Sequence, residues 1–345
     1  MTSTPAFNFT SARTACRLVA GVPAAARLAR SFAEAGVGEQ LELVLADGGS
    51  LDPLTRAEIA RLAPGVSCVV AGEARGPMIA GESLPGPAQI AAFWKGAAPP
   101  PALPADPDAA LAAASRAILR ATAKPGDGIV SRHLNRPVSQ ACSALLLRLA
   151  WVRPGHATVL TALCALAMVA CLLTGTSAGL VAGAVLFQLA SIVDGIDGEI
   201  ARATFRTSPE GAAWDSGVDA ATNLGFLAGV IANLWLRGEV APALIGLAGL
   251  GILALGMGLL GLNARARGEP LHFDGAKRIL GERESAVTRW LRYLTMRDFY
   301  CLFLALMIAA GQVSAALAIF ALAAAGWLVT VIALLWRARA SAQSR

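Results

Sequence analysis

Between positions 157 and 193 the chain runs for 37 residues without a single Asp, Glu, Lys or Arg. A hydrocarbon layer ~30 Å thick takes about 20 residues of helix, so this run reads as two consecutive membrane spans. They are broken at "GTSAG", 175–179, as a later uncharged run is broken at "AGQVS", 310–314. Carried along the second half, the same reading gives six spans, at about 156–174, 178–201, 214–236, 240–263, 297–313 and 315–336. Composition agrees, since 15% of the 345 residues are charged and 56% hydrophobic, where average soluble domains hold about 25% charged residues.

Charge orients the spans. The connections at 175–177, 237–239 and about 312–315 carry one arginine between them, whereas 265–298 alone holds Arg265, Arg267, Lys277, Arg278, Arg283, Arg289, Arg292 and Arg297. The positive-inside rule then places both termini, and the basic segments, in the cytoplasm of an inner-membrane protein. The net charge of +6 belongs to this topology, and no interleaved aromatics or DNA-binding motif support a nucleic-acid partner. Six cysteines show no CxxC pair and read as reduced fillers. The first thirty residues hold four arginines and no apolar core, so no cleavable signal peptide is expected.

The first 98 residues differ in character. A helical pattern at about 23–35 precedes "LELVLADGG", and the helical "PLTRAEIARLAPG" precedes "VSCVVAG". Helix and strand alternating in this way predict a small cytoplasmic α/β domain, 1–98. A Pro-rich linker and helix, 99–130, lead to a membrane domain, 131–340. That domain opens with an amphipathic helix, Val138, Leu145, Leu146 and Leu149 near one side, expected in the membrane interface. The expected fold is thus a mainly α membrane protein, a six-helix bundle preceded by a small α/β domain.

The densest chemistry lies in "SIVDGIDGEIARATFRTSPEGAAWDSGVDA", 191–220, with six carboxylates. On the end of the second span Asp194, Asp197, Gly198 and Ala201 share one helix face; on the third, Gly211, Asp215, Val218, Asp219 and Thr222 share another. Two helices joined by a short loop would turn these faces together. Converging carboxylates repel unless a cation neutralises them. An oxygen-only donor set favours Mg²⁺ or Mn²⁺, which at such sites also holds substrate phosphate. Small side chains at Gly198, Ala201 and Gly211 leave room for a ligand, and Arg202 can contact a phosphate. Glu199 and Glu210 read as solvated acids at helix ends, and Arg297–Asp298 as a structural pair.

Written as a pattern, the stretch is D-x-x-D-G-x-x-A-R, eight residues, then G-x-x-x-D-x-x-x-D. It resembles the signature of the CDP-alcohol phosphotransferase family, over about 130–337. The resemblance implies transfer of a phosphoryl-alcohol group from a CDP-linked donor to a hydroxyl acceptor, with release of CMP. It implies metal binding by Asp194, Asp197 and Asp215, and proton abstraction from the acceptor by Asp219, which also belongs to the acidic cluster read as the metal site. Gly198, Ala201, Arg202 and Gly211 match the positions that accommodate the CDP moiety. "RPGHAT", 153–158, resembles the family's P-x-x-x-T element and adds Thr158, although Gly155 follows the proline where the family usually has asparagine. The family handles CDP-diacylglycerol and smaller CDP-alcohols, and often forms homodimers.

The expected function is phosphatidyl-type transfer from a donor such as CDP-diacylglycerol, in phospholipid or headgroup synthesis within membrane lipid. The alternative is a CDP-inositol-type transferase making a soluble phosphodiester. "KPGDGIVSRHLNRPVS", 124–139, resembles the joining segment of bifunctional inositol-phosphate cytidylyltransferase/di-inositol-phosphate synthases. The soluble half of those proteins is a nucleotidyltransferase. Here its Gly-rich phosphate loop is missing, only "STPAFNFTSART" standing upstream, and Asp47 in "LADGG" is the one residue resembling a metal aspartate there. A degenerate, non-catalytic domain is expected. A transporter or inactive scaffold is the reading of another class, and the acids' place at one membrane edge counts against transport.

Overall fold

The computed structural model describes residues 6–72, 78–97, 103–266 and 296–343. Most of the basic segment 265–298, with His272, lies outside the described residues. The chain divides into two compact units, and the division does not follow the sequence in one cut. The first comprises Met1–Pro125, Val138–His156 and Ile196–Ser208; the second comprises Gly126–Pro137, Ala157–Gly195 and Pro209–Arg345.

The first unit is built on a four-stranded parallel sheet. Its strands are β1 (Ala6–Phe9), β4 (Gln40–Leu45), β5 (Ser67–Ala71) and β6 (Met78–Ala80), in the order β5-β4-β1-β6, while β2 (Leu18–Val19) and β3 (Val22–Pro23) form a separate small hairpin. The strands expected at "LELVLADGG" and "VSCVVAG" are β4 and β5. "AFNF", to which the sequence reading gives no element, is β1, one of the two inner strands.

Helices follow their sequence signals. After α1 (Ala12–Cys16), α2 (Ala24–Ala35) ends where Gly36 takes φ 62, a left-handed cap that glycine adopts without steric cost. In α3 (Pro53–Leu62) the Asp52 side chain accepts from Thr55 N and Pro53 occupies the first turn. Helix α4 (Pro87–Trp94) and α5 (Pro107–Ala121) complete the domain. Phe7, Phe9, Leu28, Phe32, Leu41, Leu43, Ile79 and Ile90 are fully buried between sheet and helices. Leu111 of α5 joins this core, so α5 packs on the α/β domain.

Helix α6 (Arg136–Leu146) is the expected amphipathic helix. It buries Ser139 and Ser143 and exposes Val138 and Leu145, while Leu149, expected on the same helix, is exposed three residues beyond its end. Turning hydroxyls toward protein and leucines outward inverts the arrangement of a water-facing helix.

The second unit is helical: α7 (Pro154–Leu172), α8 (Ser177–Ala203), α9 (Pro209–Leu236), α10 (Val240–Ala266), α11 (Arg297–Ala309) and α12 (Val313–Gln343), the first residues of α7 and the last of α8 belonging to the first unit. Five of them, α7 to α10 and α12, are long and apolar enough to cross a membrane. The fifth expected span differs: among the described residues α11 has 13 residues, about 20 Å of helix against ~30 Å of hydrocarbon.

Glycines let these helices approach closely. A Cβ at Gly183 would meet Leu172 at 2.5 Å, and one at Gly229 would meet the same side chain at 2.7 Å, so Leu172 is wedged between α8 and α9. Beside it the Phe187 and Phe226 rings stack at 3.9 Å. Buried Asn233 donates to the carbonyls of Leu172 and Thr176, satisfying the end of α7.

Candidate active site

Helix α8 carries Asp194 and Asp197 one turn apart, and α9 carries Asp215 and Asp219 one turn apart. The oxygens of Asp194, Asp215 and Asp219 lie within 4.8 Å of one another, and all three residues are half-buried. This is an oxygen-only donor set at the spacing of ligands around one ion, and it fits a hard divalent cation. Asp197 is not in that group. It lies one turn further along α8, 7% exposed.

The sequence reading misplaced the partner of these acids. Arg297, the first residue of α11, holds its guanidinium between them: Nη1 is 3.1 Å from Asp194 Oδ2 and also pairs with Asp219 Oδ1. Among the described residues, the buried Nε and Nη2 atoms of Arg297 meet no hydrogen-bond acceptor. A side chain with unused donors at a carboxylate cluster suits an anionic ligand such as phosphate. Asp298 turns elsewhere, accepting from Ser131 N at 2.6 Å and leaving no room for a Cβ at Gly128. The expected Arg297–Asp298 pair thus serves two different contacts, because successive residues of a helix point about 100° apart.

The segment before α6 ties to the same helix. Arg136 binds Asp127 through Nε and Nη2, at 2.8 and 3.1 Å, and its Nη1 donates to the Gly195 carbonyl at 3.4 Å. Asn135 donates to Ser191, and Gln188 donates to Asn135. Asp127 and Arg136 fall within "KPGDGIVSRHLNRPVS", whose resemblance is the signal that could have singled them out.

The remaining motif residues are placed as follows. Gly198 faces Arg202: a Cβ there would lie 2.9 Å from Arg202 Nη1, so its missing side chain makes way for a guanidinium of its own helix. Arg202 Nε donates to the Thr122 carbonyl at 2.9 Å. The Ala201 carbonyl accepts from Arg206 N. Gly211 is exposed in the first turn of α9, and Thr158 is half-buried in the second turn of α7. Glu199 departs from the expected solvated acid: it is fully buried and accepts from Ser139 Oγ at 2.6 Å and Ser143 Oγ at 2.7 Å. Glu210 is exposed, as expected.

In the α/β domain, Thr10 and Ser11 lead from β1 directly into α1 with no glycine between. Asp47 accepts from the Ala12 and Gly49 amides, which employs its carboxylate as a cap for local backbone.

The helices and the acid cluster define an α-helical protein with a carboxylate site of the kind that holds a divalent cation. The family model of the CDP-alcohol phosphatidyltransferases matches residues 151–332, more than half of the chain, and the chain belongs to that family. Among curated proteins, it is similar to the bifunctional IPC transferase and DIPP synthase of Thermococcus kodakarensis, 46% identical over 116 residues, 33% of this chain and 26% of that protein. Proteins of the same name from Aquifex aeolicus and Archaeoglobus fulgidus are 41% and 39% identical over 32% and 35% of this chain. The matched stretch spans about a quarter of each relative, 24% of both the Aquifex and the Archaeoglobus protein.

Proposed function

We propose that this chain is an integral-membrane, metal-dependent transferase that moves an inositol-phosphoryl group from CDP-inositol to a hydroxyl acceptor, releasing CMP and forming a soluble phosphodiester. The observation that carries the transfer chemistry is the three-carboxylate group on α8 and α9, within the matched family region. The names of the relatives favour the inositol-type donor over the CDP-diacylglycerol expected first.

In this reading Asp194 and Asp215, joined by Asp197 one turn further along α8, hold Mg²⁺ or Mn²⁺, and Asp219 is the third member of the carboxylate group. Bound there, the ion would neutralise charge gathering on the departing CMP. Asp219 takes the proton of the acceptor hydroxyl as its oxygen bonds to the β-phosphorus of the donor. The bond from that phosphorus to the bridging oxygen breaks, and CMP leaves with the electron pair. Gly198, Ala201, Arg202, Gly211 and Thr158 accommodate the CDP moiety. Arg297 is added to the expected set as a partner for the transferred phosphoryl group. We also read six spans, with both termini and the active site cytoplasmic, and a non-catalytic α/β domain.

The test is CMP release by the purified full chain with Mn²⁺ or Mg²⁺, offering CDP-inositol or CDP-diacylglycerol, each with inositol phosphate as acceptor. CDP-inositol is expected to support turnover and yield a water-soluble phosphodiester. Turnover with CDP-diacylglycerol alone would reinstate the phospholipid reading; no CMP from either donor would remove the inositol-phosphate reading altogether.

A further inference from the structure

The turn at 204–208 is the covalent link between the helix bearing Asp194 and Asp197 and the helix bearing Asp215 and Asp219. It breaks a local rule. Where a glycine usually ends a helix, Phe205 takes the left-handed conformation, φ 56, which a residue with a Cβ adopts at an energetic cost.

Three arginines of the α/β domain converge on it. Arg27 Nη2 donates to the Ala203 carbonyl at 2.6 Å, and Arg61 donates to the carbonyls of Thr204, at 2.9 Å, and Phe205, at 3.2 Å. The Phe205 ring lies under the guanidinium of Arg30, 3.9 Å from its centroid, with Arg27 at 5.2 Å. Arg206 of the turn pairs with Glu58 at 2.6 Å, and Glu58 also binds Arg61 at 2.6 Å. Gly21, at φ 83, leaves space that a Cβ would share with Thr204.

The last carbonyls of any α-helix lack intrahelical partners, and cations are favoured beside them. Water usually suffices. Here Arg27 takes that place while buried, its other bonds going to the Val19 and Ala20 carbonyls of its own domain, and burial pulls its pKa down to about 10. The domain therefore invests a desolvated charge in this turn, while its own strand-end turn lacks the phosphate loop of a nucleotidyltransferase.

We infer that the α/β domain is a positioning clamp: Arg27, Arg61 and Glu58 fix the turn between the two aspartate-bearing helices and thereby the geometry at which their carboxylates meet. They are positioning residues, which touch neither metal nor substrate. The inference rests on the proposed function only for its kinetic readout.

The test compares the full chain with Arg61→Ala, Phe205→Gly and the double variant. Arg61→Ala is expected to keep its Tm and its KM for the donor and to lose about 10- to 100-fold in kcat, the penalty of a misplacement of order 1 Å. Phe205→Gly, which removes the strain, should restore part of that loss in the double variant. Independently of turnover, Arg61→Ala should weaken Mn²⁺ binding, read by electron paramagnetic resonance, and speed amide exchange over 203–215. Unchanged kcat, Mn²⁺ affinity and exchange would overturn the clamp, as would a loss of activity matched by a fall in Tm and indifferent to Phe205→Gly. A wild-type protein that releases no CMP would defeat the proposed function and leave the Mn²⁺ and exchange measurements to decide the clamp.

Discussion

Glu199 provides the sharpest test of how α6 is held. Its carboxyl group is fully buried, and the Ser139 and Ser143 hydroxyls that donate to it are 1% and 0% exposed. Replacing Glu199 by Leu keeps much of the volume and removes the acceptor of both hydroxyls where water does not reach. A buried hydroxyl that loses its acceptor costs about 1–3 kcal/mol, so the two losses cost about 2–6 kcal/mol. At about 2 °C per kcal/mol, the low end for larger chains, Tm should fall by about 4–12 °C. The decisive comparison adds Ser139→Ala and Ser143→Ala to Glu199→Leu. If stranded hydroxyls are the cause, the triple variant is more stable than the single one despite carrying more substitutions. Thermal unfolding in detergent, followed by a thiol-reactive or intrinsic fluorescence signal, reads both. A triple variant no more stable than Glu199→Leu alone, or a single variant with the parent's Tm, would refute the reasoning.

Three further outcomes are expected. Asp219→Asn should lower CMP release by about 10²–10⁴-fold, the usual worth of a general base; Asp215→Asn should instead raise the Mn²⁺ concentration needed for half-maximal rate, checked by metal titration. Gly183→Ala should lower Tm, because overpacking against Leu172 costs about 1–3 kcal/mol and exceeds the ~1 kcal/mol helix gain; adding Leu172→Ala should relieve the overpacking. Burial pushes the Cys68 thiol up to about 11, so about one molecule in a thousand carries its thiolate at pH 8, and alkylation should rise about tenfold per pH unit to pH 10; peptide mass spectrometry follows it, and a flat profile would contradict the burial.

The sequence was most legible where the physics is local. Absence of charge over 157–193 marks α7 and α8, and the three- and four-residue spacing of the aspartates selects the helix faces whose Asp194, Asp215 and Asp219 meet. Strand β1 escaped because four residues of "AFNF" show too little alternation to stand out. Glu199 was misread because its serines lie 60 and 56 residues upstream. Arg297 looked like a partner for its neighbour, whereas it reaches Asp219, 78 residues away. The arginines at the 204–208 turn come from 143 to 176 residues earlier. Helical periodicity reports which face a residue occupies; it is silent on what a fold brings against that face.

The length of α12 has a consequence of its own. Its 31 residues make a rod about 46 Å long at 1.5 Å per residue, whereas a bilayer interior of ~30 Å needs about 20 of them. Standing upright, such a rod projects some three turns past the oily slab. Whichever end projects, those turns would have to lie among headgroups or in water rather than in hydrocarbon.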